Sequence, residues 1–503
     1  MRKALAAAAA LLLAVAGCGS SPTAGDGDRT LTVALQFPPR AAYAFDADDG
    51  ALLMTLGVAE PLTTVDAAAQ PAPNLAASWA QTADPRTWRF ELREGVTFHD
   101  GTPLTAAAVV TALSYVAGVT APPRAIRDIG FAVRAAGERT VEISTKEPDP
   151  VLPLRMSSGN LGILAPAAYA AGGAPGVVKT GTGPYVLTAV QGADSATLVR
   201  NDGYWGERAG AAGVTVRYLS DPQSRALALQ SGDVQFAEGL PAASVAQVRA
   251  AGATVDAYPA ARTVELLLNQ SAKPFDDLRV RQAVTAAIDR PVLADQVLTG
   301  SATAAADLFG PAVPWGASTP PPAGDPARAK QLLAEAGYGP SSPLTVRLWT
   351  FPNRPEMPVL ATAIQAMLAE AGITVEVTVG DYAAQEPKVL AGEFDMFLNS
   401  RSYLSDFADA AGVLASDYTC AGSYNIDHYC SKEFDALVAG LSGVKTVAER
   451  QELFTRAAAM LTRDAAGVMI VHPDNTAGSR GATGFVPDPL GVRPVLPRLT
   501  PAG

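Results

Sequence analysis

Apolar and polar residues alternate with a period of two over Thr30–Leu35, which predicts a half-buried strand at the start of the folded part. Apolar positions then recur at helical spacing over 52–58. Two strand patterns follow, Thr87–Leu92 and 96–98, separated by a charged turn. Thr105 stands directly before a helical pattern over 106–116, where its hydroxyl can accept from a free backbone N–H of the first turn. Thr140–Ser144 alternates again. Beyond residue 260 the pattern becomes more helical. A strand is predicted over 264–269, then a helix capped by Asp276 or Asp277 and running to Ile288. Asp325 before Pro326 pairs an N-cap with a proline at the first helical position, and Gly337 ends that helix. A strand over 344–348, a helix over 358–371 and a strand over Ile373–Val379 predict a parallel α/β layer. Helical patterns at 432–441 and 448–464 lead to a last strand over 467–471. No internal repeat is evident.

With 503 residues the chain is too long for a single ordinary core. Hydrophobic residues at 48% and charged residues at 17% give a globular composition. The 45 glycines and 39 prolines fall mostly between periodic segments and read as turns. The formal charge of −11 is dispersed along the chain. Without clustered Lys and Arg to meet phosphates, nucleic acid is excluded as a partner.

The N-terminus changes the picture. Arg2 and Lys3 precede an apolar stretch over 4–16, and Val15-Ala-Gly-Cys18 follows. A bilayer span needs about 20 apolar residues, so this shorter run reads as a signal peptide over 1–17. The segment resembles a bacterial lipobox, which implies a lipidated Cys18 and anchorage of the mature protein to a membrane. Residues 18–29 are polar and glycine-rich, a flexible tether. Cys420 and Cys430 are the two remaining cysteines. Outside the cytoplasm two nearby thiols are expected to pair, a reduced pair being the alternative.

Several segments, taken in order, resemble the peptide/nickel class of extracellular solute-binding proteins, family 5. They are Glu60-Pro-Leu62, the stretch 73–79 ending in Trp79, and Trp88-Arg-Phe-Glu-Leu-Arg-Glu-Gly-Val-Thr-Phe-His-Asp-Gly-Thr-Pro-Leu-Thr105. Thr180-Gly-Thr-Gly-Pro-Tyr185, Arg200-Asn-Asp-Gly-Tyr-Trp-Gly206, the segment 269–290 and the segment 325–338 complete the set. Trp79, Trp88 and Trp205 are expected to be packing anchors. The glycine-rich stretches 180–184 and 201–206 are expected to be turns, since neither follows a Walker pattern.

The resemblance implies an α/β, two-lobed clamshell of the periplasmic-binding-protein type (type II, cluster C). Lobe I would take 30–263, with an extra subdomain at about 52–185, and lobe II 264–468. Residues 469–503 would return to lobe I, with crossing strands near 264–269 and 468–472. It also implies a substrate-binding lipoprotein outside the cytoplasm, in a periplasm or on the outer face of the plasma membrane. Such a protein passes its ligand to an ABC permease and the permease's ATPase subunits, performs no catalysis and needs no cofactor.

In dipeptide-binding relatives an aspartate of lobe II grips the ligand's ammonium, which implies Asp406 or Asp409 here. In this sequence Ala410 follows Asp409 where the family usually has proline. Arg354 is the candidate for the ligand's carboxylate, and Trp349 and Tyr403 the candidates for the pocket wall. A nickel chelate or metallophore is the alternative ligand. In nickel-binding relatives arginines hold the chelate, but the matching region has Arg155 only, with Gly159 and Gly162 where arginines would be expected. His99, His428 and His472 are far apart in sequence and form no metal site. A secreted hydrolase is the remote alternative. The chain lacks a Gly-x-Ser-x-Gly elbow and a His-Glu-x-x-His motif.

Overall fold

The first alternating segment forms strand β1 (Thr30–Leu35), buried at Leu31 and over Val33–Leu35. The computed structural model describes residues 29–45, 49–127, 129–352, 354, 356–404 and 407–503. Cys18 and Asp406 therefore lie outside the described residues, as do the signal peptide and all of the tether except Arg29. No helix among the described residues is long and apolar enough to cross a membrane.

The subdomain that follows β1 holds a four-stranded antiparallel sheet. Its strands are β2 (Ala76–Gln81), β3 (Thr87–Leu92), β4 (Ala132–Ala135) and β5 (Thr140–Ser144), in the order β2-β3-β5-β4. Helix α1 (Ala106–Gly118) belongs to this subdomain, and the Thr105 hydroxyl accepts from Ala108 N at 3.2 Å as its N-cap. The pattern over 96–98 does not become a strand. Thr97 forms only an isolated bridge to Pro103, because Asp100 and Gly101 turn the chain back at once.

Beyond the subdomain the chain adds β6 (Tyr185–Gln191), β7 (Ser195–Arg200), β8 (Gly213–Tyr218), β9 (Phe236–Glu238) and β10 (Thr254–Pro259). β1 lies between β8 and β9 and is parallel to both, with Thr30 opposite Gly213 and Val33 opposite Phe236. The second lobe is built on β11 (Arg262–Leu268), β12 (Ala302–Ala304), β13 (Leu344–Thr350), β14 (Ile373–Val379) and β15 (Met396–Ser402). Its helices include α2 (Leu278–Ala287), α3 (Pro326–Glu335), α4 (Glu356–Glu370), α5 (Tyr382–Leu390), α6 (Ala411–Tyr418) and α7 (Val447–Arg463). Asp277 and Asp325 cap α2 and α3, and α7 opens with a full capping box from Thr446 and Glu449. β13 runs parallel to β14 and β15, and its even-numbered residues are buried in the core of this lobe.

β16 (Val468–Ser479) joins the two halves. Its first residues pair with β11 and β12, and its last six pair with β10, so one strand belongs to both sheets. The partners change over at Pro259–Arg262 on one crossing and His472–Asp474 on the other. The bond from Ala260 N to Pro473 O (3.1 Å) ties the two crossings together. The molecule is a two-lobed α/β clamshell in which both crossings form one narrow hinge. The lobes also touch away from it. The Arg155 guanidinium lies 5.1 Å from the centre of the Phe407 ring, and Gln451 Nε2 donates to Ala68 O at 3.2 Å.

Candidate functional site

In open α/β sheets ligands bind beyond the carboxyl ends of parallel strands, where loops diverge and backbone groups are free. In the second lobe these are the ends of β13 and β15. Arg262, which opens β11, lies opposite Ser402 at the end of β15. Arg401 is the neighbouring residue of β15, and Arg354 follows the end of β13 by four residues. Three guanidinium groups therefore sit within electrostatic reach of one another.

They are not equivalent. Arg401 makes a two-pronged ion pair with Asp417 of α6, at 2.6 and 3.0 Å, and lies 4.6 Å from the centre of the Tyr424 ring. Burial alone would lower its pKa, but the bonds and charge of Asp417 outweigh that and hold it above its ordinary value. Among the described residues the Arg262 guanidinium donates to the Ser400 carbonyl alone, at 2.8 Å. Burial pushes its pKa down to about 9, and the positive charge of Arg354 pushes the same way. Glu356 opposes this and Arg401 adds to it. Arg354 makes no side-chain hydrogen bond or ion pair among the described residues. A guanidinium taken partly out of water without a carboxylate favours an anionic partner.

Beneath this cluster Glu265 of β11 is buried and accepts from Tyr418 Oη at 2.6 Å and Asn399 Nδ2 at 3.2 Å. Burial raises its pKa to about 7, against the Tyr418 bond, while the nearby charge of Asp417 raises it further. Tyr424 is held from the other side. Its hydroxyl and that of Tyr382 both donate to Glu386 of α5, at 2.8 and 3.1 Å. Tyr424 lies in the loop closed by the Cys420–Cys430 disulfide. Replacing both cysteines with serine frees a loop of about ten residues. This is expected to cost about 2–3 kcal/mol in urea denaturation, as the loop-closure entropy of that length requires.

The residues expected from sequence to form the site fall in different places. Arg354 is in the cationic cluster. Trp349 is half-buried on β13, with the Arg347 guanidinium 6.0 Å from its ring centre. Tyr403 is fully buried away from solvent, edge-on to Phe309 at 5.4 Å and to His472 at 6.4 Å. It is part of the hinge's aromatic packing. Asp409 is 2% exposed and is held by Arg450 of α7, which donates to it from Nε and, at 3.1 Å, from Nη2. Its Oδ1 also accepts from Ala411 N at 2.9 Å, at the start of α6. A carboxylate so enclosed fastens α6 to α7. Arg262 was not singled out from the sequence. The signal available there was a charged residue two positions before the predicted strand over 264–269.

The region matched to the chelate-binding arginines is closed to them. Arg155 bonds Asp149 at 2.6 Å and the Ala125 carbonyl at 3.1 Å. A Cβ on Gly159 would lie 2.9 Å from Ala51 Cα, and one on Gly162 would lie 3.1 Å from the Phe45 ring. Of the anchoring tryptophans, Trp88 donates to Asp149 O at 3.0 Å. Trp205 donates to the buried Glu60 at 3.2 Å, beneath the Arg93 guanidinium. Among the described residues no three His, Cys, Asp or Glu side chains gather as a metal site.

Comparison with known proteins agrees with this architecture. The family model for bacterial extracellular solute-binding proteins, family 5 middle, matches residues 70–425. A glutathione-binding protein GsiB of Escherichia coli is 28% identical over 428 residues, covering 82% of each chain. NikA from Brucella suis, solved in complex with Fe(III)-EDTA, superposes with a TM-score of 0.84. It is 24% identical, and the match covers 94% of this chain and all of that one. DppA from Helicobacter pylori, solved with the peptide STSA, gives a TM-score of 0.73 at 22% identity, covering 94% and 98%.

Proposed function

The chain belongs to the bacterial extracellular solute-binding proteins of family 5, and from that premise we propose that it captures short peptides for an ABC importer. The ligand's carboxylate is read by Arg262 and Arg354. The single observation that carries this reading is the pair of guanidinium groups near the ends of β13 and β15 that make no ion pair among the described residues. The alternative charge partner, Asp417, already serves Arg401. Glutathione, the solute in the name of the similar GsiB proteins, is itself a short peptide with free carboxylates. The obstructed positions Gly159 and Gly162 weigh against a nickel chelate held from the first lobe. Asp406 remains the residue assigned to the ligand's ammonium, Asp409 being held by Arg450.

Capture follows from the architecture. A solute that touches both lobes stabilises the closed arrangement by its differential affinity for the two states. The permease and its ATPase subunits then receive the closed complex. Native mass spectrometry of protein purified without refolding tests the ligand class. The expected result is a bound mass that fragments as a short peptide, whereas a bound metal chelate would replace this reading with the alternative.

Lipidation of Cys18 is part of the same proposal and places the protein at the outer surface of a membrane. Cys18→Ala is expected to move the protein from the membrane pellet to the soluble fraction. Retention in the pellet would remove the anchor from the account.

A further inference from the structure

The first lobe has its own edge at the gap between the lobes. β16 runs from the second lobe into the first, β9 is antiparallel to it and β1 is parallel to β9, so β1 runs toward the second lobe. Ala34 lies opposite Ala237, and Ala237 opposite Gly478. Carried three residues on, this register brings Phe37 close to the level of Asn475, just past the crossing at His472–Asp474.

This edge is braced on every side. The buried Arg225 guanidinium donates to Leu219 O and Ser220 O beyond β8, at 2.6 and 3.0 Å. It also donates to Glu238 O and Gly239 O at the end of β9, at 2.8 and 2.6 Å. β8 and β9 flank β1, so one side chain ties together the strand ends on either side of it. Gln36 N donates to Glu238 Oε1 at 2.9 Å. Pro38 and Pro39 follow Phe37, and their rings fix the backbone there. Asp49, itself 5% exposed, then accepts from the backbone N–H groups of Arg40, Ala41 and Tyr43. Ala42 and Tyr43 have φ of 50° and 65°, a conformation that residues other than glycine keep only where their surroundings impose it.

Between these anchors Phe37 is 55% exposed. Every other Phe, Tyr and Trp among the described residues is buried or half-buried. Two neighbouring aromatics at the same edge are put away, the buried Tyr43 and Tyr218 hydroxyls bonding each other at 2.9 Å. The one aromatic ring left in water therefore stands on a rigid edge that faces the gap. A ring so presented gains from being covered and loses little freedom in the process.

We propose that Phe37 is a specificity-determining contact of the first lobe, against which an apolar side chain of the bound peptide packs when the lobes close. This rests on the capture of a peptide between the lobes, its carboxylate being held by Arg262 and Arg354. The contact removes apolar surface from water only in the closed arrangement, so it favours that state and selects among peptides by side chain.

Calorimetry of the ligand-stripped full chain with the dipeptides Ala-Ala, Ala-Phe and Phe-Ala tests the assignment. At least one of the Phe-containing dipeptides is expected to bind about tenfold tighter than Ala-Ala, as covering two apolar faces requires. Phe37→Ser should bring the three affinities to within about twofold of one another, and Phe37→Leu should keep most of the preference. Both replacements fall on an exposed side chain and leave the fold intact. Arg354→Gln should weaken all three dipeptides alike and leave the preference in place. A parent protein with no preference, or a preference kept in Phe37→Ser, would overturn the role of Phe37 while leaving peptide capture standing. Failure of all three dipeptides to bind would overturn both.

Discussion

Arg450→Met is expected to destabilise the folded chain by about 3–5 kcal/mol, the cost of leaving a buried charge without its partner. Asp409 and Arg450 are 2% and 5% exposed, so water cannot take the place of the lost guanidinium. Arg450 also donates to Leu441 O at 2.7 Å and lies over the Phe454 ring, so one side chain ties together α7, the turn before it and the start of α6. Methionine keeps most of the stem volume and isolates the charge effect. Urea denaturation followed by circular dichroism measures the loss. Adding Asp409→Asn to the same chain should restore a large part of it, because the stranded charge is then gone. A single variant as stable as the parent would show that this pair contributes nothing.

The second large effect concerns binding. Arg262→Gln and Arg354→Gln are each expected to weaken the co-purified solute by about 2–5 kcal/mol, some thirty-fold or more in Kd, if each pairs a desolvated carboxylate. Calorimetry reads the loss directly. Arg401→Gln is the informative contrast. Its partner is Asp417, so it should lower stability by leaving that carboxylate buried alone. Affinity unchanged in both Arg262→Gln and Arg354→Gln would retire the carboxylate assignment while leaving the family membership untouched.

Local elements were legible because their signals are local. Thr105, Asp277 and Asp325 announce their helices through a side-chain oxygen two or three residues before the N–H it binds. The alternation over Thr30–Leu35 and Ile373–Val379 needed only a period of two. The last strand was foreseen over 467–471, yet it continues to Ser479. Pro473, Asp474 and Asn475 read as a turn by every short-range rule. They are tolerated in a strand here because the strand changes partners there. Pro473 has no N–H to give, and its carbonyl serves Ala260 on the other crossing.

The site was legible in part. Arg354 was singled out because it follows a strand, and position after a strand is readable; the structure places it in the cationic cluster. Asp409 has the chemistry of a ligand contact, but its partner comes from 41 residues further on, and no local pattern reports that. Tyr403 was expected at the pocket wall and is instead enclosed by Phe309 and His472, both from distant parts of the chain. Burial of a single aromatic residue depends on long-range packing that spacing does not encode.

The order in which the strands are supplied has a consequence for biogenesis. Neither half completes its inner edge before β16 is made, since β11 pairs within 468–471 and β10 with 474–479 of that strand. The two lobes are therefore expected to lock together last as the chain folds.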